Sequence, residues 1–207
     1  MKFRVKQAPP CKTNPSSKVV VGIDASLTGF GLCIFGVDET SGEMWNRLTR
    51  YASKKKGIER LIDIRNWFSM RLSEAGLISY VAMEGYAWGS DYNREVMGEL
   101  GGVIKVALFE HLAAQEEGVV PCVLVPPQSL KKFTTGKGGA KKEQMLLAVF
   151  KKWKVDAHSN DEADAYSLAR VAAAIVGLTE PTFDYEREVI DKLTGRGPVA
   201  RTGRHRR

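Results

Sequence analysis

Two apolar runs that each end on an acidic residue constrain this chain more than any other feature of its sequence. The first is Val19-Val-Val-Gly-Ile-Asp24, and the second is Tyr80-Val-Ala-Met-Glu84. Short runs of this kind, rich in β-branched residues, are typical of buried β-strands. A carboxylate at the end of such a strand is costly to bury unless a partner or a metal ion compensates its charge. The pattern therefore predicts strands that end at a site rich in acid.

The order of the remaining elements predicts one α/β domain with a mixed sheet. The segment 29–35 is expected to pair with 19–24 as an antiparallel hairpin, because the connection is too short for a crossover helix. Further strands are expected at 44–51, 80–84 and 119–125, and helices are expected at 58–75, 95–115, 143–152 and 159–176. A capping box, Ser159-Asn-Asp-Glu162, is expected to begin the last helix. Strands and helices in this order predict an α/β fold.

Two more acids, Asp161 and Asp164, lie three residues apart in the last predicted helix, which places them on one helical face. Taken singly, each acid has another explanation, since Asp24 could begin a turn and Asp161 could favour a helix N-terminus. Together with Glu84, four converging carboxylates would repel one another unless a divalent cation were bound. Oxygen ligands suit Mg²⁺ or Mn²⁺. Two such ions, roughly 4 Å apart, would support phosphodiester hydrolysis.

In four motifs the sequence resembles the RuvC-type Holliday junction resolvases. The motifs are Gly22-Ile-Asp24-Ala-Ser with Gly29-Phe-Gly31, Val81-Ala-Met-Glu84, Gly136-Lys-Gly-Gly-Ala-Lys-Lys142 and Asn160-Asp161-Glu-Ala-Asp164-Ala. The resemblance implies an RNase H-like fold with a mixed five-stranded sheet flanked by helices. It also implies a homodimer that makes paired nicks in four-way junctions. The family's catalytic, metal-binding carboxylates, which hold two Mg²⁺ or Mn²⁺ ions, fall on four residues: Asp24, Glu84, Asp161 and Asp164.

The same resemblance implies DNA-binding residues in and around a glycine-rich basic loop. The family's DNA-handling lysines correspond to Lys131 or Lys132 and to Lys142, and two further lysines add charge to the loop, Lys137 and Lys141. Backbone amides and lysines of this kind bind phosphates, although an ordinary exposed loop has a similar composition.

The aromatic residue that the family wedges against unpaired bases is absent from its usual place after Glu84. Tyr86 or Trp88 is expected to stack on bases instead, the alternative being that these aromatics belong to the core. This change and the added tails resemble the bacteriophage members of the family, which accept several branched structures. Forks and flaps are therefore expected substrates beside four-way junctions.

Positive charge is concentrated at the two ends of the chain. Residues 1–18 carry +5 and residues 192–207 carry +6, with no acid in either stretch, so the total of +7 leaves −4 on the residues between. Basic ends are typical of arms that follow a phosphate backbone, and also of tails that only aid solubility. The sequence predicts a flexible basic N-terminal extension over 1–18, a nuclease domain over 19–180 and a basic C-terminal tail over 181–207.

No apolar run approaches the roughly 20 residues of a membrane span, and the first ten residues lack the apolar stretch of a signal peptide. We therefore expect no membrane association and a cytoplasmic protein of a bacterium or a phage-infected cell. The three widely spaced cysteines indicate neither a disulfide framework nor a zinc site.

Three other classes of protein share part of the pattern. Gly22-Ile-Asp24-Ala-Ser-Leu-Thr28 is similar to the first phosphate loop of actin-like sugar kinases, but the chain is too short for their second lobe, and its basic loop lacks the P-loop motif. Proofreading exonucleases require Asp-x-Glu on the first strand, where this chain has Asp24-Ala-Ser26. The third class is a non-catalytic branched-DNA-binding protein, and the presence of all four acids argues against it. The sequence favours a divalent-metal-dependent endonuclease acting on Holliday junctions and related branched DNA.

Overall fold

The computed structural model describes residues 6–7, 17–85, 91–115 and 121–196. Its strands are β1 (Lys6–Gln7), β2 (Ser17–Asp24), β3 (Phe30–Asp38), β4 (Met44–Tyr51), β5 (Ile78–Glu84) and β6 (Cys122–Val125). Its helices are α1 (Gly57–Leu72), α2 (Asp91–Ala113), α3 (Pro127–Thr135), α4 (Lys142–Trp153), α5 (Asn160–Ile175) and α6 (Asp184–Thr194). None of the helices in these described ranges is long and apolar enough to cross a membrane.

The strands form one mixed sheet in the order β1-β4-β3-β2-β5-β6. β2, β3 and β4 are antiparallel neighbours, whereas β5 and β6 extend the sheet in parallel on the other side of β2. All five strands expected from the sequence are present, and the two-residue β1 is added beside β4. The predicted α/β fold with a mixed sheet flanked by helices is therefore confirmed.

Both faces of the sheet are covered by helices, because alternate residues of a strand point to opposite faces. On one face, Val19, Val21 and Ile23 of β2 pack with α1 and α2. On the other face, Val20 of β2 packs with residues of α3, α4, α5 and α6. Strand β2 is thus buried on both sides, which explains its continuous apolar run.

Helix α5 lies directly on β2 and β3 because both strands carry a glycine beneath it. A Cβ on Gly22 would lie 2.2 Å from the carbonyl oxygen of Ala165, and a Cβ on Gly31 would lie 2.1 Å from the carbonyl oxygen of Asp161. Neither position has room for a side chain, so the helix backbone contacts the sheet backbone. This contact fixes how far the residues of α5 lie from the strand ends.

The start of α5 follows the predicted capping pattern with one change. Ser159 Oγ accepts a hydrogen bond from the backbone N–H of Glu162 at 3.2 Å, as expected of an N-cap serine. The Glu162 carboxylate accepts its hydrogen bond from the backbone N–H of His158, at 2.7 Å, one residue earlier than in a capping box. The helix therefore begins where the sequence placed it.

Two helices, α3 and α6, lie where the sequence pattern predicted none. α3 begins at Pro127, a position that suits proline because the first helical N–H has no partner within the helix. Lys131 and Lys132 consequently lie on a helix and not in the predicted loop. α6 lies inside the stretch predicted as a C-terminal tail, and it buries Val189 and Ile190 against the core. The folded body therefore continues beyond residue 180, the boundary expected from the sequence.

A buried ion pair attaches α6 to α3 and α4. Lys152 on α4 donates hydrogen bonds to Glu186 on α6 and to the carbonyl oxygens of Phe133 and Thr134 at the end of α3. The second carboxylate oxygen of Glu186 accepts hydrogen bonds from the backbone N–H groups of Thr182 and Phe183, just before α6. Burial lowers the pKa of Lys152, and its pairing with Glu186 opposes that shift. Both buried charges are thus compensated, as their burial requires.

Candidate active site

The acids predicted at the strand ends lie side by side at one edge of the sheet. β2 and β5 are parallel neighbours in a register that makes their last residues, Asp24 and Glu84, adjacent. Asp24 is paired with Gly31 across the hairpin, and Gly31 lies beneath Asp161 at the start of α5. Asp164 lies one helical turn further along α5. The fold therefore brings all four predicted acids to the same edge.

Asp24 and Glu84 form a hydrogen-bonded pair of acids. Burial raises the pKa of Asp24 well above its ordinary value, and the charges of Glu84 and Asp164 raise it further. Burial also raises the pKa of Glu84, although the hydrogen bond with Asp24 opposes the rise. Two neighbouring carboxylates that both resist ionisation favour sharing one proton between them when no cation is bound.

Asp164 also resists ionisation, and one of its oxygens lacks a partner. Burial, followed by the charge of Glu84, raises the pKa of Asp164 from 3.8 to about 7. Its Oδ1 atom is buried and has no hydrogen-bond partner among the described residues. Buried polar atoms in folded proteins nearly always have a partner. An unpartnered carboxylate oxygen beside two other acids indicates a position for a cation.

Asp161 differs from the other acids because an arginine already neutralises it. Its Oδ2 atom accepts a hydrogen bond from Arg50 Nε at 2.6 Å. Arg50 lies near the end of β4, opposite Gly31 on β3, and its Nη2 atom also donates to the carbonyl oxygen of Thr28 at 3.1 Å. Sequence reasoning missed Arg50, which lies 111 residues from Asp161. Only the register of β3 and β4 brings it to the site.

Two of the predicted DNA-binding lysines lie beside the acids. The positive charges of Lys131 and Lys142 each act to lower the pKa values of Glu84 and Asp164, against the effect of burial. Lys131 reaches the site from α3, and Lys142 reaches it from the first turn of α4. The site therefore combines carboxylates with cations that are suited to bind phosphate.

The other predicted DNA-binding residues have different surroundings. Lys132 is turned towards α6, where its Nζ atom lies 2.6 Å from Glu188 Oε2. Lys137 and Lys141 are exposed in the connection between α3 and α4. The two aromatics predicted to stack on bases lie outside the described residues: Tyr86 and Trp88. Lys131 and Lys142 are thus the lysines that the fold associates with the acids.

The acid cluster has the donor chemistry of a site for a hard divalent cation, because its donors are carboxylate oxygens. The raised pKa values of Asp24 and Asp164, caused chiefly by burial, and the unpartnered Asp164 Oδ1 show carboxylates that a bound cation would favour in their ionised form. In the arrangement seen, no three Asp, Glu, His or Cys side chains of the described ranges are grouped so as to hold an ion. A cation held by three or more of these side chains would therefore require side-chain movements within the cluster. The residue types fit such an ion, and the backbone already places them at one edge.

The fold and the site together define a class of protein. The chain is an α/β protein of the RNase H-like type, with acids collected at the strand ends beneath one helix. No family model and no curated protein sequence matches it.

Solved structures show that the fold is that of RuvC and other Holliday junction resolvases. Thermus thermophilus RuvC in complex with Holliday junction substrate matches with a TM-score of 0.56 at 20% identity, over 86% of this chain and 95% of RuvC. T. thermophilus RuvC in another structure matches with a TM-score of 0.55 at 25% identity, over 79% of this chain and 99% of RuvC. The yeast mitochondrial Holliday junction resolvase Ydc2 matches with a TM-score of 0.50 at 12% identity, over 86% of this chain and 82% of Ydc2. The predicted resemblance is confirmed for the fold, and the bacteriophage origin stays a prediction.

Proposed function

We propose that this chain is a divalent-metal-dependent endonuclease that nicks Holliday junctions and related branched DNA. The observation that carries the proposal is the group formed by Asp24 and Glu84 at the strand ends and Asp164 on α5, with Lys131 and Lys142 beside it. These three acids form no ion pair with another described residue, and buried acids of this kind next to lysines suit a site that binds a cation and a phosphate together. T. thermophilus RuvC, which has the same fold, was solved in complex with Holliday junction substrate. This similarity supports branched DNA as the substrate of the present chain.

The four acids are the proposed cation ligands, with Asp24 and Glu84 at the strand ends and Asp161 and Asp164 on one face of α5. When bound, two Mg²⁺ or Mn²⁺ ions supply an activated water and a counter-charge for the leaving oxygen. Asp24, Glu84 and Asp164 must release the protons that their raised pKa values favour retaining, because only ionised carboxylates act as ligands. Cation binding is therefore expected to release protons and to strengthen as the pH rises.

Lys131 and Lys142 bind the DNA phosphates nearest to the acids in this proposal. Lysine–phosphate contacts position the backbone without reading its sequence, so they serve any branched substrate. The exposed Lys137 and Lys141 extend the same phosphate-binding surface. Lys132 is assigned a smaller part, because Glu188 already neutralises it.

The direct test is a cleavage panel of labelled four-way junction, fork, flap and linear duplex, with Mg²⁺ and with Mn²⁺. The protein is expected to nick the branched substrates only when a divalent cation is present. Asp24→Asn and Asp164→Asn are expected to abolish nicking but to leave junction binding largely intact, because lysine–phosphate contacts persist. Asp156→Asn, which changes an exposed acid on the connection before α5, is the matched control. Near-normal cleavage by either site variant would contradict the assignment.

A second candidate function is that of a non-catalytic branched-DNA-binding protein. It is favoured by the absence, among the described residues, of three acids grouped to hold an ion. Such a protein would bind four-way junctions equally well with and without divalent cations and would cut none of the substrates. The cleavage panel therefore separates the two candidates.

We also propose that the active form is a homodimer, because a four-way junction is two-fold symmetric and two of its strands must be cut. The outer surfaces of α1 and α2 offer apolar side chains for such an interface: Ile58, Ile62, Met70, Val106 and Phe109. Light scattering at micromolar concentration is expected to give the mass of a dimer. A monomer that still cuts junctions in pairs would contradict the proposal.

A further inference from the structure

Arg50 connects two parts of the site that are far apart in sequence. Its guanidinium donates from Nε to Asp161 Oδ2 at 2.6 Å and from Nη2 to the carbonyl oxygen of Thr28 at 3.1 Å. Thr28 belongs to the hairpin turn that follows Asp24, whereas Asp161 lies in the first turn of α5. One planar side chain therefore joins the turn after one acid to the side chain of another.

The backbone around this ion pair leaves little freedom for the Asp161 carboxylate. A Cβ on Gly29 would lie 2.0 Å from Asp161 Oδ2 and 2.6 Å from Arg50 Nη2, so glycine provides the space that the ion pair occupies. Beneath the same helical turn, Gly31 contacts the Asp161 backbone. The carboxylate is thus confined by the strand on one side and by the guanidinium on another.

The ion pair also makes Asp161 chemically different from its neighbours. Within the described part of the chain, Asp24, Glu84 and Asp164 form no ion pair within 4.0 Å, and burial raises the pKa of each of them. Arg50 engages one oxygen of Asp161, Oδ2, which leaves Oδ1 as the oxygen available to another partner.

We propose that Arg50 is a positioning residue, which holds Asp161 Oδ2 so that Oδ1 is presented to the divalent cation. The inference rests on the proposed function, because it assumes that the acid cluster binds such an ion. Groups that hydrogen-bond to a metal ligand orient it, and their loss typically weakens metal binding by about 10- to 100-fold. Arg50 is such a group, because it donates hydrogen bonds both to Asp161 Oδ2 and to the carbonyl oxygen of Thr28.

The charge of Arg50 and its geometry have opposite effects on cation affinity, which makes the proposal testable. A positive charge beside the site repels a cation, so its removal alone would strengthen binding. Loss of orientation would weaken binding. A lysine keeps the charge but lacks the planar fork that reaches both Asp161 and Thr28, so it does not replace the geometry.

The experiment measures Mn²⁺ binding to the full-length protein without DNA, by calorimetry and by electron paramagnetic resonance of free Mn²⁺. Both Arg50→Gln and Arg50→Lys are expected to weaken Mn²⁺ binding by about 10- to 100-fold. Circular dichroism checks that each variant is folded. The matched control is Arg65→Gln, because Arg65 has a similar exposure and pairs with Glu110 on α2 at 2.7 Å, outside the acid cluster.

Unchanged or tighter Mn²⁺ binding by Arg50→Gln would overturn the proposal, and so would wild-type affinity in Arg50→Lys. In the Asp161→Asn background, Arg50→Gln is expected not to weaken affinity further, because the orientation of Asp161 no longer matters there and only the loss of a repelling charge remains. A wild-type protein that binds Mn²⁺ but cuts no branched DNA would refute only the proposed nuclease function. The Mn²⁺ affinities of the Arg50 variants would then still test the positioning role of Arg50. A wild-type protein that binds no Mn²⁺ would refute both.

Discussion

Replacing Asp164 with asparagine is expected to stabilise the cation-free protein while abolishing cleavage. The pKa of Asp164 is about 7 in the folded chain, against an ordinary value of 3.8. Each pKa unit corresponds to about 1.4 kcal/mol, so ionised Asp164 lowers the free energy of unfolding by about 4 kcal/mol at pH 8. Asparagine has nearly the same shape as the protonated acid and never ionises, so the variant avoids this cost.

The pH dependence of the difference follows from the direction of the pKa shift. A raised pKa means that the folded chain binds this proton more tightly than the unfolded chain. The stability that Asp164 contributes is therefore fully present below pH 3.8 and is lost as the pH rises to about 7. The advantage of the variant is expected to be about 4 kcal/mol at pH 8, about 2 kcal/mol at pH 5 and negligible near pH 3.

Urea denaturation in the presence of EDTA, at pH 5 and at pH 8, measures the difference, and Asp156→Asn is the control for a change of net charge. Addition of Mn²⁺ is expected to stabilise the wild-type protein more than the Asp164→Asn variant, because a ligand stabilises the state that binds it. Equal free energies of unfolding for wild type and Asp164→Asn at pH 8 would show that ionised Asp164 does not destabilise the fold, which would contradict the prediction.

Three further predictions concern the packing of α5, the docking of α6 and the basic C-terminal stretch. Gly22→Ala places a Cβ 2.2 Å from the α5 backbone, so it is expected to cost about 1–3 kcal/mol and to reduce cleavage. The control in thermal unfolding is Gly98→Ala. An added Cβ there has no atom within 4 Å, so this variant is expected to be more stable than wild type by about 0.5–1 kcal/mol. Glu186→Gln leaves a buried lysine charge unpaired and is expected to cost about 3–5 kcal/mol in urea denaturation, against about 1 kcal/mol or less for the exposed Glu188→Gln. Deletion of residues 197–207 removes four arginines, so the slope of log K against log salt is expected to fall by at most about 3.6 for junction and duplex alike, and an unchanged slope would make the stretch a solubilising tail.

The strands and the acids were predictable because both depend on local patterns. Asp24 and Glu84 end apolar runs, and the spacing of Asp161 and Asp164 fixes their common helical face. The order of the strands and helices was then enough to predict that the four acids lie together. Ser159 predicted the start of α5, because serine is a preferred N-cap residue. These features are encoded within a few residues of one another.

The remaining features depend on contacts between distant residues. Pro127 begins α3, but a proline pair after a strand also fits a loop, so only packing decides that Lys131 faces the acids and Lys132 faces α6. Helix α6 is short, and its docking depends on an ion pair with Lys152. Arg50 reaches Asp161 through the pairing of β3 with β4. No local pattern specifies such a contact.

Direct backbone contact at Gly22 and Gly31 makes the spacing of the acids independent of the size of the core side chains. Where side chains separate a helix from a sheet, their replacement over evolutionary time shifts the helix and any functional group on it. Here the spacer is the polypeptide backbone, which has the same dimensions in every sequence. Changes elsewhere in the hydrophobic core are therefore expected to leave the geometry at the strand ends in place as long as Gly22 and Gly31 are kept.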